Sequence, residues 1–199
     1  MASVNEINIG EKSNMHYYDP KENDRVSLIP KQLYPMHCSK VTTRIVDVKG
    51  KYKAKVYNIV YEIAEECSKK TFITDAGEVN GSAFAGKKVY GTGIFMFLNP
   101  QAGDTFESNN GGNERYLRFC ETIKVECPEI EVDVDGEKRM VKQFPELTES
   151  EIKGSALLGF VDTQEYVQDG QTKISYKVKE FSERADGKKK DLELADLPF

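Results

Sequence analysis

A chain of 199 residues, 39% hydrophobic and 31% charged, with ten Tyr, ten Phe and no Trp, is long enough for one domain with a sizeable core and is too apolar to be disordered. No apolar run approaches the ~20 residues of a membrane-spanning helix, and positions 1–10 lack the basic start and apolar stretch of a secretory leader, so the expected setting is cytoplasmic, with no membrane partner. The net charge of −5 argues against a uniformly basic nucleic-acid binder.

Residues 1–37 are polar and carry Pro20, Pro30 and Pro35, which reads as an N-terminal arm, with the ordered domain spanning 38–181. From Lys40 the β-branched run KVTTRIVDV, a Gly-containing turn at 49–52 and KAKVYNIVYEIAEE predict a hairpin. Residues 67–83, with Gly77, Asn80 and Gly81, read as an excursion between strands. FAGKKVYGTGIFMFL at 84–98 predicts a strand whose second half is buried, Gly91 and Gly93 marking a bulge or a close backbone approach. Phe95 and Phe97 are expected in the core.

The spacing of Tyr116, Leu117, Cys120 and Ile123 predicts one α-helix over about 113–124, with Asn113 as its N-cap. A second hairpin turns at Asp135-Gly136. Thr148 with Glu151 has the pattern of a capping box. A third hairpin runs from Ser155 through QDGQ at 168–171 to Phe181, and 182–199 reads as a flexible tail. Short strands in three hairpins with one inserted helix predict a mainly β fold, an OB-like small and partly open barrel.

Catalytic signatures are missing: GxSxG, the P-loop pattern and HExxH do not occur, and only His16 and His37 are available as imidazole bases. Cys38, Cys67, Cys120 and Cys127 form no CxxC pair. Zinc would need a site assembled in three dimensions from Cys120, Cys127, His37 and Cys38, and buried or half-buried thiols are the preferred reading. The expectation is a non-enzymatic protein with no cofactor and no metal.

The charge is segregated along the chain. Residues 40–55 hold six cations (Lys40, Arg44, Lys49, Lys51, Lys53, Lys55) against Asp47, a net +5, whereas 126–151 hold nine acids against three cations, a net −6. Side chains alternate along a strand, so Lys51, Lys53 and Lys55 share a face with Tyr57 and Tyr61, while Lys173, Lys177 and Lys179 line one face of the last hairpin. Cations that track phosphates beside rings that stack on unpaired bases suit a single-strand binder. The same lysines also suit a solvated strand face or the protection of a sheet edge. The candidate DNA-binding residues are Arg44, Lys51, Tyr52, Lys53, Lys55, Tyr57, Lys173, Lys177 and Lys179, with Tyr52 and Tyr57 as the stacking rings; Tyr52 lies across the strand from the lysines and needs the turn to re-aim it.

The chain ends DLELADLPF, acids preceding Leu197-Pro198-Phe199. This ending resembles the C-terminal tip of bacterial single-stranded-DNA-binding proteins. The order YEIAEE, FAGKKVYGTGIFMFL, NERYLRFCETI, LTESEIKGSALLGFV, DGQTKISYKVKEF resembles phage single-stranded-DNA-binding proteins of the OB type over roughly residues 40–199. The resemblance implies a sequence-tolerant protein that coats single-stranded DNA in phage replication or recombination inside the host cell. It further implies recruitment of replication or recombination enzymes through Asp196, Leu197, Pro198 and Phe199, and it is compatible with a homo-oligomer. Lys188, Lys189 and Lys190 before the tip, and an arm with no counterpart, depart from that pattern. The alternatives are a β-rich virion or assembly protein and, less favoured, a metal-dependent nuclease using the acids of 126–151.

Overall fold

The computed structural model describes residues 29–50, 52–74, 77–98, 106–168 and 170–190, and the side chains among them except those of 106–111 and 172. The chain folds as β1 (Leu33–Val48), β2 (Tyr52–Ile63), a 3-10 turn (Glu65–Lys69), β3 (Thr71–Thr74), β4 (Gly77–Asn80), a 3-10 turn (Gly81–Ala83), β5 (Lys88–Gly91) and β6 (Ile94–Phe97). There follow α1 (Phe106–Thr122), β7 (Glu129–Val134), β8 (Glu137–Lys142), α2 (Glu149–Ile152), β9 (Ala156–Gln168) and β10 (Gln171–Ser182).

All three hairpins form as the turn chemistry dictates. Lys49 and Gly50 take φ of 54° and 65° between β1 and β2, and Asp135 and Gly136 take 54° and 85° between β7 and β8, the left-handed conformations that Asp, Asn and Gly tolerate best. The Asp133 carboxylate accepts the Gly136 N–H at 2.8 Å and fixes that turn. The excursion at 67–83 contains a small hairpin of its own, β3 with β4.

Six strands form one mixed sheet in the order β1-β9-β10-β5-β2-β6, and because β1 also pairs with β2, five of them close into a ring. Only β5 and β10 run parallel, through Tyr90–Lys177 and Gly91–Val178. The architecture is the mainly β, OB-like, partly open barrel expected from the hairpins, with α1 inserted before the last hairpin of the ring. It is irregular: the β5–β10 seam is two residue pairs long, and β6 continues the line of β5 along β2 at Ala54 to Tyr57.

The ring interior holds Tyr34, Met36, Val41, Tyr57, Ile59, Tyr61, Ile63, Val89, Leu157, Val161 and Val178, all buried, each large side chain contributing ~1.5–3 kcal/mol by leaving water. β5 approaches β2 so closely that a Cβ on Gly91 would sit 2.6 Å from the Tyr61 ring, which is the close approach expected at this glycine. The Tyr116 hydroxyl donates to Pro145 O at 2.6 Å and accepts from Leu147 N at 2.9 Å, tying α1 to the segment before α2. At α2 the capping box forms, with Thr148 N donating to the Glu151 carboxylate at 2.7 Å.

Three boundaries differ from expectation. The helix begins at Phe106 rather than near 113, and Asn113 is not a cap. Its buried side chain accepts the Phe97 N–H at 2.9 Å along the outer edge of β6, and Gly112 lets the helix sit against the Phe97 ring, 3.0 Å from where a Cβ would be. Packing on β6 carries the helix through Gly-Gly, which propensity alone disfavours. At the N-terminal side, residues 33–37 of the expected arm are the first part of β1, paired with β9 from Leu33–Phe160 to His37–Ala156, and Ile29 is buried in the core. After β10, Arg184 is buried against Glu66 and Asp186, and Lys190 N donates to Gly154 O at 2.8 Å, so 183–190 pack on the domain.

Candidate nucleic-acid interface

Side-chain alternation gives each ring strand an inner and an outer face, and the register aligns the outer residues into rows. One row crosses the whole ring: Lys40 on β1, Val60 on β2, Tyr90 on β5, Lys177 on β10 and Asp162 on β9. A second lies four residues along β2, with Arg44, Val56 and Phe95 side by side, ~13 Å away at the usual strand rise. Lys88, paired with Glu62, extends the face on the other side of Tyr90. Tyr166 opposite Lys173 continues it onto the projecting part of the β9–β10 hairpin.

Among the described residues, three rings on this face are well exposed, Tyr90 at 67%, Tyr166 at 43% and Phe95 at 37%. Ala54 and Val56 between the strands are buried, and Val46, Val48 and Val60 are half-buried, so the rings are the most exposed apolar groups of the face. Among the described residues Lys40, Arg44, Lys88 and Lys177 make no ion pair, which leaves their charge available to an anion. The acids here are already engaged. Glu62 binds Lys190 at 2.6 Å, and Asp162 binds Lys31 at 3.0 Å and Lys179, whose hydrogen bonds hold its carboxyl down at about 2.

The residues expected to bind DNA divide between two faces. Arg44, Tyr52, Lys173 and Lys177 lie on the outer face, Tyr52 half-buried with its ring 5.5 Å edge-on from Phe97, and Lys173 donating to Gln168 at 3.0 Å. Lys179 is exposed and bound to Asp162. Lys53 and Lys55 lie on the opposite face of β2. Lys53 is exposed, but Lys55 sits 5.4 Å over the Tyr57 ring and is bound to Glu146. Tyr57 as a stacking residue is corrected: it is fully buried, its ring packed 5.4 Å from Tyr116, and no base can reach it. Lys51, Asp196, Leu197, Pro198 and Phe199 lie outside the described residues.

Lys40, Lys88, Tyr90, Phe95 and Tyr166 join this candidate face in addition to the residues expected from the sequence, and Phe95 is exposed where the sequence places it in the core. The alternation in KVYG, with Lys88 and Tyr90 two apart, was the available signal. Reading 84–98 as one apolar strand hid it, because the break at Thr92-Gly93 resets which residues face outward.

On the opposite side a half-open cleft of about 520 Å³ is lined by Val41, Thr43, Lys55, Glu146, Leu147 and Glu149, among others. Among the described lining residues its one cation is Lys55, held by Glu146. Among the described residues no group of three or more His, Cys, Asp or Glu side chains is placed to hold a metal ion. No helix of the described residues is long and apolar enough to cross a membrane. Set beside this geometry, no protein-family model matches the chain, and neither a curated protein nor a solved structure matches it.

Proposed function

We propose that this protein binds single-stranded DNA, with little sequence preference and no catalysis, across the outer face of β2, β5 and β10. The observation that carries this reading is the pair of exposed rings, Tyr90 and Phe95, set among the unpaired cations Lys40, Arg44, Lys88 and Lys177. Unpaired bases stack on such rings for ~1–3 kcal/mol each, and the cations follow the phosphates. Duplex DNA has its bases stacked internally and offers the rings nothing. Greek-key barrels of this kind bind oligonucleotides on their second and third strands and on the loops joining strands one to two and four to five. Here those strands are β2 and β5, and those loops follow Val48 and Gln168.

In this reading the protein coats DNA during phage replication or recombination, and its last residues, Asp196 to Phe199, recruit the enzymes that act there. Fluorescence anisotropy with a labelled oligo-dT tests the binding claim. Tyr90→Ala and Phe95→Ala should each weaken affinity roughly 5- to 150-fold, with a duplex of the same length binding far more weakly than the single strand. Wild-type protein that ignores oligo-dT, or variants that bind as well as wild type, would overturn it.

A further inference from the structure

Two acids on the outer face stand directly opposite two of its lysines. Glu62 on β2 is the register partner of Lys88 on β5, and Asp162 on β9 is the partner of Lys177 on β10. Opposite charges in such cross-strand positions ordinarily pair, their Cβ atoms lying ~5 Å apart. Among the described residues neither lysine pairs with the acid opposite it. The Glu62 carboxylate instead accepts the Lys190 ammonium at 2.6 Å, and Asp162 accepts Lys31 at 3.0 Å together with Lys179. Lys31 precedes β1 and Lys190 follows β10, so the margins of the domain supply counter-charges to its face. Backbone contacts seat Lys190. Its N–H donates to Gly154 O at 2.8 Å, and Gly154 N donates to Cys38 O on β1 at 2.8 Å, next to His37, the other register neighbour of Glu62. A Cβ on Gly154 would lie 2.3 Å from Lys190 O, so the close approach requires glycine there. Arg184, buried against Glu66 and Asp186, anchors the same segment. The Glu62 side chain is only 16% exposed, so its charge needs a partner.

We propose that Lys190, and at the second acid Lys31 with Lys179, are positioning residues for the DNA face: they occupy Glu62 and Asp162 and so leave Lys88 and Lys177 free for phosphates. The inference rests on the reading of this face as a DNA-binding surface. Without Lys190 the Glu62 carboxylate turns to Lys88, the cation that the register places beside it, and the phosphate path loses a positive charge. At Asp162 two lysines share the task, so loss of Lys31 alone leaves the carboxylate held by Lys179. Glu62 depends on Lys190. Whatever lifts residues 183–190 from Gly154 therefore withdraws Lys88 from the DNA, and binding is regulated from the segment that follows the last strand.

Two readouts on the full-length protein test this. Trace acetylation with an N-hydroxysuccinimide ester, read by tandem mass spectrometry of a chymotryptic digest, reports how free the Lys88 amine is and needs no DNA. Lys190→Gln should slow acetylation of Lys88 roughly 3- to 10-fold, because the Glu62 carboxylate then holds the ammonium form. Lys190→Arg, which still pairs with Glu62, and the double variant Glu62→Gln with Lys190→Gln should both label Lys88 as wild type does. In oligo-dT titrations against salt, Lys190→Gln should flatten the slope of log affinity by about 0.7, the contribution of one lysine, and should flatten it no further in the Glu62→Gln background. Unchanged Lys88 labelling in Lys190→Gln overturns the inference. So does an equal loss of slope with and without Glu62, which would make Lys190 a direct phosphate contact. Should Glu62→Gln prevent folding, labelling of Lys190→Gln against Lys190→Arg decides alone, since the Lys190 side chain is 38% exposed. Wild-type protein that ignores oligo-dT overturns the DNA reading, whereas unchanged labelling overturns only the role of Lys190, so the two failures are told apart.

Discussion

Two tyrosines 33 positions apart show how differently one residue type is used. Tyr57 is fully buried and packed on Tyr116, whereas Tyr90 is 67% exposed one strand away. Replacing Tyr57 with Ala leaves a ring-sized void and should cost ~3–5 kcal/mol of stability in urea denaturation, while Tyr90→Ala should change stability by less than about 0.5 kcal/mol and act on binding alone. Equal effects of the two on stability would contradict these burial assignments. Asp162 supplies a pH test. Its folded carboxyl lies at about 2, below the ordinary 3.8, because Lys179 and Lys31 bond its charged form. A depressed value means that the stabilisation is complete above the ordinary value and is lost as pH falls toward 2. The melting temperature of Asp162→Asn should therefore lie below wild type near neutrality and approach it as pH falls from 4 through 2, and a difference as large at pH 2 as near neutrality would remove Asp162 as its cause.

At the scale of elements, the hairpins were legible because their signals are local. A Gly turn between alternating runs needs only its own residues to form, and the Thr148–Glu151 box needs four consecutive positions. Thr148→Ala should cost ~1 kcal/mol, read as a lower denaturation midpoint with an unchanged slope. The start of α1 was not legible, because what holds Phe106 to Gly112 in a helix is the edge of β6: the Phe97 N–H satisfied by Asn113 and the Phe97 ring resting on Gly112. The strand pair β5–β2 carries a similar constraint. Gly91→Ala places a methyl group 2.6 Å from the buried Tyr61 ring and 3.1 Å from Ile59 O, and overpacking of that kind typically costs ~1–3 kcal/mol. A variant as stable as wild type would show that β5 has room to move.

For the molecule as a whole, the segregated charge becomes a surface only once the ring closes. Five cations, Lys40, Arg44, Lys88, Lys173 and Lys177, share the outer face. If all five neutralise phosphates, a plot of log affinity for oligo-dT against log salt should have a slope of about −3.5, and Lys88→Gln with Lys177→Gln should flatten it by about 1.4. A slope that the double variant leaves unchanged would rule out this face as the proposed DNA-binding surface. The amino-acid sequence by itself determined the mainly β character, the three hairpins, the separation of a basic from an acidic segment and the alternation that places lysines together, since each depends on neighbours along the chain. Tertiary structure alone decided which face each alternating set occupies. Alternation states that Lys53, Lys55 and Tyr57 share a side of β2, but only the closure of β1 onto both β2 and β9, with the register shift between Cys38 and Lys40, turns that side inward at Tyr57 and leaves Tyr90 and Phe95 outside. The physical reason is that a strand has two equivalent faces until a second layer or a closed ring buries one of them.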